Sequence, residues 1–200
     1  MRVTASSQES PKPQQLQMVL RSDVLAHPPA LGTPPGYRLR GFRVGEESLH
    51  TRLMRAAGFE WTDQMRESAV AKCLSGGFIV VEHEETRLLV ATAMAHCNPS
   101  PHFPEGGELG WVAADPDHRG RGLGLAVCAA AVRRFAHAGY VQVYLRTDDH
   151  RLPAINIYLK LGFVPFLHAP DMAERWHSVS RLLKVDYETL CAVAETSWRE

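Results

Sequence analysis

Apolar and polar positions change period repeatedly along the chain, and each change marks a new element. Residues 37–44 read as a strand. Residues 46–57 place Leu49, Leu53 and Ala57 at helical spacing and stop at Gly58. Thr62 is placed to cap a second helix, with Met65, Ala69 and Cys73 on one face and Gly76-Gly77 as its end. Residues 78–82 and 87–96 then predict a hairpin around a polar turn. A loop through Pro99, Pro101, Pro104 and Gly106-Gly107 leads to a strand over 108–114. The clearest helix carries Leu125, Cys128, Ala129, Val132, Phe135 and Ala136 as one stripe. Arg133, Arg134 and His137 lie in its last turn, where cations suit the helix dipole, and Gly139 closes it. Val141, Val143 and Leu145 alternate as a strand, followed by the polar turn Thr147-Asp148-Asp149. Pro153 suits the first position of a helix over 154–161, Gly162 ends it, and 163–166 form a short strand. Asp171 is placed to cap a helix carrying Met172, Trp176, Val179 and Leu183, and a further helix is expected from Asp186.

This order implies an α/β protein with a mixed, mostly antiparallel sheet and helices on both faces, which excludes the all-α and all-β classes. Residues 1–36 differ from the rest. Pro11, Pro13, Pro28, Pro29, Pro34 and Pro35 interrupt any long helix, and only 16–25 are apolar enough for a brief strand or helix docked on the body. The expected organisation is a Pro-rich, largely irregular extension over 1–36, a domain over 37–167 and a helical extension over 168–200.

Composition narrows the function classes. The chain has 200 residues, 45% of them hydrophobic, which suits one domain with a real core. Its 22 basic and 22 acidic residues balance, which argues against a general nucleic-acid binder. No apolar run approaches a membrane span, and the polar N-terminus lacks a signal-like core. Cys73, Cys97, Cys128 and Cys191 form no C-x-x-C pair and read as reduced, mostly buried thiols of a cytoplasmic protein. The histidines, including His83 and His96, show no metal-ligand spacing and read as surface or capping residues, so no metal is expected.

The informative loop is Asp115-Pro116-Asp117-His118-Arg119-Gly120-Arg121-Gly122-Leu123-Gly124, between a strand and the long helix. Its glycines let a ligand approach the backbone, and the free N–H groups, the dipole and two arginines suit a pyrophosphate. The Gly-Lys-Ser/Thr of a Walker loop is absent, and the G-x-G-x-G spacing differs from the dinucleotide fingerprint. Loop composition alone also fits a glycine turn with two solvated arginines.

Arg119-x-x-Gly122-x-Gly124, after Val112-Ala113-Ala114-Asp115-Pro116, resembles the acetyl-CoA pyrophosphate motif of GNAT-type N-acetyltransferases. Ala154-Ile155-Asn156-Ile157-Tyr158-Leu159-Lys160-Leu161-Gly162-Phe163 resembles the family's second motif. Residues 147–155 are similar to members related to mycothiol synthase, a tandem of two such units. The resemblance covers about residues 37–167. It implies a GNAT-like acyltransferase fold and transfer of an acetyl group from acetyl-CoA, as co-substrate, to the primary amine of a small-molecule acceptor. Direct attack by the amine is expected, without an acyl-enzyme. A CoA-binding sensor with the same fold and no turnover is the alternative.

The resemblance also implies site residues. The strand 108–114 is expected to splay from its neighbour at a bulge, with backbone N–H groups near Val112, Ala113 and Ala114 facing the thioester carbonyl. Arg119, Gly120, Arg121, Gly122, Leu123, Gly124 and Leu125 would hold the pyrophosphate, with His118 at the border. Asn156 would contact the pantetheine or adenosine side. Tyr158 is the expected general acid, since a phenol near ~10 can protonate a thiolate near ~8.5 when held close. Glu108 is the expected base, acting directly or through water, with Asp148 and Asp149 as rivals beyond the next strand. Trp61 and Trp111 are candidate pocket walls, at least one of them a core residue. No nucleic-acid or membrane partner is expected, and a homodimer contact through either extension stays open.

Overall fold

The computed structural model describes residues 14–190. Strand β1 (Leu16–Leu20) and helix α1 (Ser22–Ala26) precede β2 (Tyr37–Gly41), α2 (Glu47–Ala56), α3 (Asp63–Ala71), β3 (Cys73–His83) and β4 (Leu89–Cys97). Then come β5 (Gly107–Ala114), α4 (Leu123–His137), β6 (Val143–Thr147), α5 (Leu152–Lys160), β7 (Phe163–Phe166) and α6 (Met172–Leu183). Local chemistry accounts for many boundaries. The Thr62 hydroxyl accepts the Met65 N–H at 3.2 Å and starts α3. Gly162, at φ 91°, ends the chain's run through α5, and Val24 of α1 fills the space its missing Cβ leaves.

One expected boundary is corrected. The helix over 62–73 stops at Ala71, and Cys73 already pairs with His96 in the sheet. Gly76 and Gly77 lie inside β3, at a register shift between Cys73 and Phe78, so they bend a strand rather than end a helix. A Cβ on Gly77 would come within 2.8 Å of the Ala95 carbonyl oxygen, which explains why the strand needs glycine there. Asp171 precedes α6 as expected, but its side chain makes no cap and pairs with Arg175 instead. Beyond α6, residues 187–190 are helical, with Asp186 accepting the Thr189 N–H; the rest of the expected last helix, with Cys191, lies outside the described residues.

Among the described residues the sheet has seven strands in the order β2-β3-β4-β5-β6-β1-β7. Only β5 and β6 run parallel; every other neighbouring pair is antiparallel. The expected domain start at residue 37 left out an interior strand: β1 lies between β6 and β7 and bonds to both. Its alternation explains this position, because Leu16, Met18 and Leu20 join the main core while Val19 packs with Phe103, Tyr144 and Val164 on the opposite face.

Helix α4 covers one face, burying Val127, Cys128, Ala131, Val132 and Phe135 against Ala93, Leu109 and Leu145. Trp176 of α6 is fully buried in the same cluster. The other face is covered by α2 and α3 through Met54, Trp61, Ala69, Met94 and Ala113. Cys128 is core as expected, whereas Cys97 is exposed. No described helix is long and apolar enough to cross a membrane.

His50 of α2 is fully buried among Phe42, Trp61 and Phe78, and neither ring nitrogen has a hydrogen-bond partner. Burial, with Arg66 adding to it, lowers its pKa from 6.5 to about 4. The unfolded chain therefore binds a proton between these values that the native state refuses. The resulting stability is present above pH 6.5 and lost as pH falls toward 4, about 3 kcal/mol in all. In urea unfolding measured from pH 7 to pH 4, His50→Leu is expected to shrink the acid-side loss of stability by about that amount.

Candidate active site

The parallel strands β5 and β6 part company early. They share the pairs Gly107↔Val143, Glu108↔Tyr144 and Leu109↔Leu145, and then no more. On the opposite side of β5, Thr92 pairs with Ala113 and Met94 with Gly110, so Trp111 and Val112 together face Ala93. This is a β-bulge, and Trp111 sits at its turn with φ 51°, a left-handed conformation unusual for a bulky residue. The bulge and splay expected for this strand are both present.

The gap between the strands opens into a cleft of about 490 Å³. Leu109, Val112 and Tyr158 line it together with Glu108, Gly110, Trp111 and His96. Leu109 and Val112 belong to the core under α4 and Trp111 to the cluster under α2 and α3, so the cleft joins both faces. Met65, Ser68 and Lys72 from α3 and the adjoining turn form one wall, and Arg146, Thr147 and Asp148 at the end of β6 form another. Phe59 and Arg151 complete the rim, the guanidinium standing 4.5 Å from the ring centroid. Trp111 makes an edge contact with Trp61 at 4.6 Å; Trp61 is core, and Trp111 is the cleft wall.

The glycine loop leads into α4. Gly120 and Gly122 both have φ 76°, which lets the chain turn so that no side chain caps the helix. The first intrahelical bond runs from Ala126 to Gly122, leaving the N–H groups of Leu123, Gly124 and Leu125 ahead of it. Gly124 lies against Ile157 of α5: a Cβ there would be 3.0 Å from its Cδ1. Arg119 and Arg121 are exposed and make no ion pair among the described residues. His118 bonds to the Tyr37 hydroxyl at 2.9 Å, and Arg121 stands over the Tyr37 ring. The loop can thus offer backbone donors and two cations to an anion.

The other expected residues separate into three groups. Tyr158 lies in the cleft, 6% exposed, its phenol pushed above the usual range by burial and then by Cys128. Glu108 also lines the cleft but is held tightly: Arg146 donates to both oxygens at 2.8 and 3.0 Å, and Asn98 donates to Oε2 as well. Asn156 is exposed on α5 and does not line the cleft. Asp148 is at the cleft rim, accepting from Gln15 and Arg151. Asp149 is not, because Arg175 of α6 grips it and, through that hydrogen bond, holds its carboxyl below the usual range.

Two features were not foreseen. Arg146, the partner of Glu108, has its pKa raised chiefly by that bond. His96 is 3% exposed and sits opposite Glu108 in the β4–β5 ladder, with Nε2 buried and unpartnered. Only the strand register puts these side chains on one face, so composition and spacing carried no signal for them. Among the described residues no cluster of His, Cys, Asp and Glu suits a metal ion.

Residues 46–163 match the model of the acetyltransferase (GNAT) family, and the chain belongs to that family. It is 32% identical over 143 residues to a mycothiol acetyltransferase of Saccharomonospora viridis, covering 65% of this chain and 46% of that protein. The chain spans about half the length of the curated relatives it matches. Its fold is similar to a GCN5-related N-acetyltransferase from Sphaerobacter thermophilus, with TM-score 0.56 and 20% identity over 77% of this chain and 50% of that one. A tandem GNAT protein from the clavulanic acid biosynthesis pathway aligns with TM-score 0.57 and 19% identity, covering 78% and 51%.

The Glu108–Arg146 pair ties β5 to β6 near the point where they part. Glu108→Gln keeps the shape but removes the charge-assisted, two-pronged contact. It is expected to lower unfolding free energy by about 1–2 kcal/mol in urea titration, discounted because Arg146 is half exposed.

Proposed function

We propose that this protein is an N-acetyltransferase that moves an acetyl group from acetyl-CoA to the primary amine of a small-molecule acceptor by direct attack. The observation that carries this reading is the split between β5 and β6, with the bulged strand on one side and Tyr158 beneath it. Such a slot lets a thioester enter from the face bearing α4 and α5 while an amine approaches from the face bearing α3. The pyrophosphate would rest on the loop 119–125, and the pantetheine arm would follow the open edge of β5. Backbone N–H groups around Val112, Ala113 and Ala114 would stabilise the oxyanion as the carbonyl becomes tetrahedral. Tyr158 keeps its proton and offers it in a hydrogen bond to the sulfur as the C–S bond breaks.

Family membership supports the use of acetyl-CoA. The name of the curated relatives concerns mycothiol, but this chain spans about half their length, so the acceptor is proposed only as an amine of small-molecule size. A cytoplasmic setting, in which Cys73, Cys97 and Cys128 stay thiols, fits this role.

Isothermal calorimetry with acetyl-CoA tests the cofactor. Micromolar binding is expected, and the folded Arg121→Glu/Gly122→Asp/Gly124→Asp variant should bind none. Tyr158→Phe should keep that affinity and lose about 10²-fold or more of turnover, read as thiol release. Turnover unchanged in Tyr158→Phe would remove the tyrosine from the chemistry, and absent binding by the parent would overturn the reading as a whole.

A further inference from the structure

The cleft contains an imidazole that the scheme above does not use. His96 lines the cleft while only 3% exposed, and its Nε2 is buried without a hydrogen-bond partner among the described residues. Buried polar atoms normally find partners, so an orphaned imidazole at a reaction cleft calls for a reason. The ring is also given room. Gly110 lies diagonally across on β5, and a Cβ there would stand 3.2 Å from His96 Nδ1 and 3.3 Å from Cε1. The Nδ1 edge therefore overlies the one strand position in the cleft that has no side chain, just ahead of the bulge.

The environment suits a proton acceptor. Nε2 is shut off from solvent and has nothing to bond, so a positive charge on this ring is costly and the resting imidazole is neutral; with its one hydrogen on Nε2, the Nδ1 lone pair would be left open to the cleft. Burial lowers its pKa from the ordinary value, Lys72 and Arg146 act in the same direction, and Glu108 opposes them. Cys73, its partner across on β3, is pushed by burial to about 11 and stays an uncharged thiol. Glu108, directly opposite in the ladder, supplies a carboxylate beside the imidazolium that would form. Glu108 itself already accepts from Arg146 on both oxygens and from Asn98 on one, so three of its roughly four lone-pair sites are taken.

Resting on the acetyl-transfer reading, we infer that His96 is the base of the reaction, with Nδ1 taking the proton of the attacking amine and Glu108 serving as the positioning residue that stabilises the imidazolium. The amine nitrogen forms the C–N bond to the acetyl carbon as the C–S bond breaks. The electron pair of that bond leaves on sulfur, hydrogen-bonded to Tyr158, and the amine's proton passes to His96. Release of CoA takes up one proton and His96 returns one to solvent, so the cycle closes. This assignment replaces the expectation that Glu108 takes the proton itself.

The test uses the full chain with acetyl-CoA and a panel of glycinamide, glucosamine and butylamine, scored by thiol release from pH 5 to pH 9. His96→Gln is expected to lower kcat by about 10²-fold or more, leave the KM for acetyl-CoA within twofold, and abolish the acid limb of the kcat/KM profile. His96→Ala should regain at least tenfold activity with added imidazole, which a packing defect would not do; if Gln disturbs folding, this arm and His96→Asn decide. A kcat within threefold of the parent, or an unchanged acid limb, would overturn the assignment while leaving acetyl transfer intact. A parent protein that binds acetyl-CoA yet releases no thiol with any amine would sink both, and the parent's own assay distinguishes that case from failure of His96 alone.

Discussion

When one strand of a ladder gains a residue that its neighbour lacks, the chain must bend, and here the bend keeps two parallel strands apart. Trp111 and Val112 share the single partner Ala93, and Trp111 takes up a left-handed conformation to do so. Beyond Leu109, β5 thus points its backbone into open space instead of into β6. The remaining architecture holds that opening. On its far side β6 is saturated by β1, which is itself sealed by β7, so β6 is fixed from the side away from the gap. The Glu108–Arg146 pair spans the last bonded register like a rivet.

The charges around the cleft are nearly all committed. Glu108 is tied to Arg146, Asp148 to Arg151, and Asp149 to Arg175 outside the cleft. Fixed pairs of this kind give a site shape and field but leave few groups able to exchange a proton. Tyr158 and His96 stand apart because burial, more than any ion pair, sets their protonation: it keeps the phenol protonated and the imidazole neutral. A donor and an acceptor on opposite sides of one slot are what a transfer between thioester and amine requires.

Many elements were legible because their signals are local. The stripe from Leu125 to Ala136 lies on α4, Thr62 caps α3, and Gly162 ends the run after α5. Gly76-Gly77 misled because a glycine pair signals a break in direction without specifying whether a helix ends or a strand bends. The apolar segment 16–20 could be read as docked, but not as an interior strand, since a period of two says nothing about which neighbours flank it.

The same division applies to the site. The glycine loop at a helix N-terminus, the tyrosine before Leu161-Gly162-Phe163 and the class of fold were all readable from residues close together in the chain. Only the assembled sheet shows that Glu108 is clamped by Arg146, that Asp149 serves α6, that Asn156 is exposed and does not line the cleft, and that His96 stands in it with Nε2 unpartnered. These depend on register and on distant strands meeting, where a shift of one residue moves a side chain to the opposite face of the sheet.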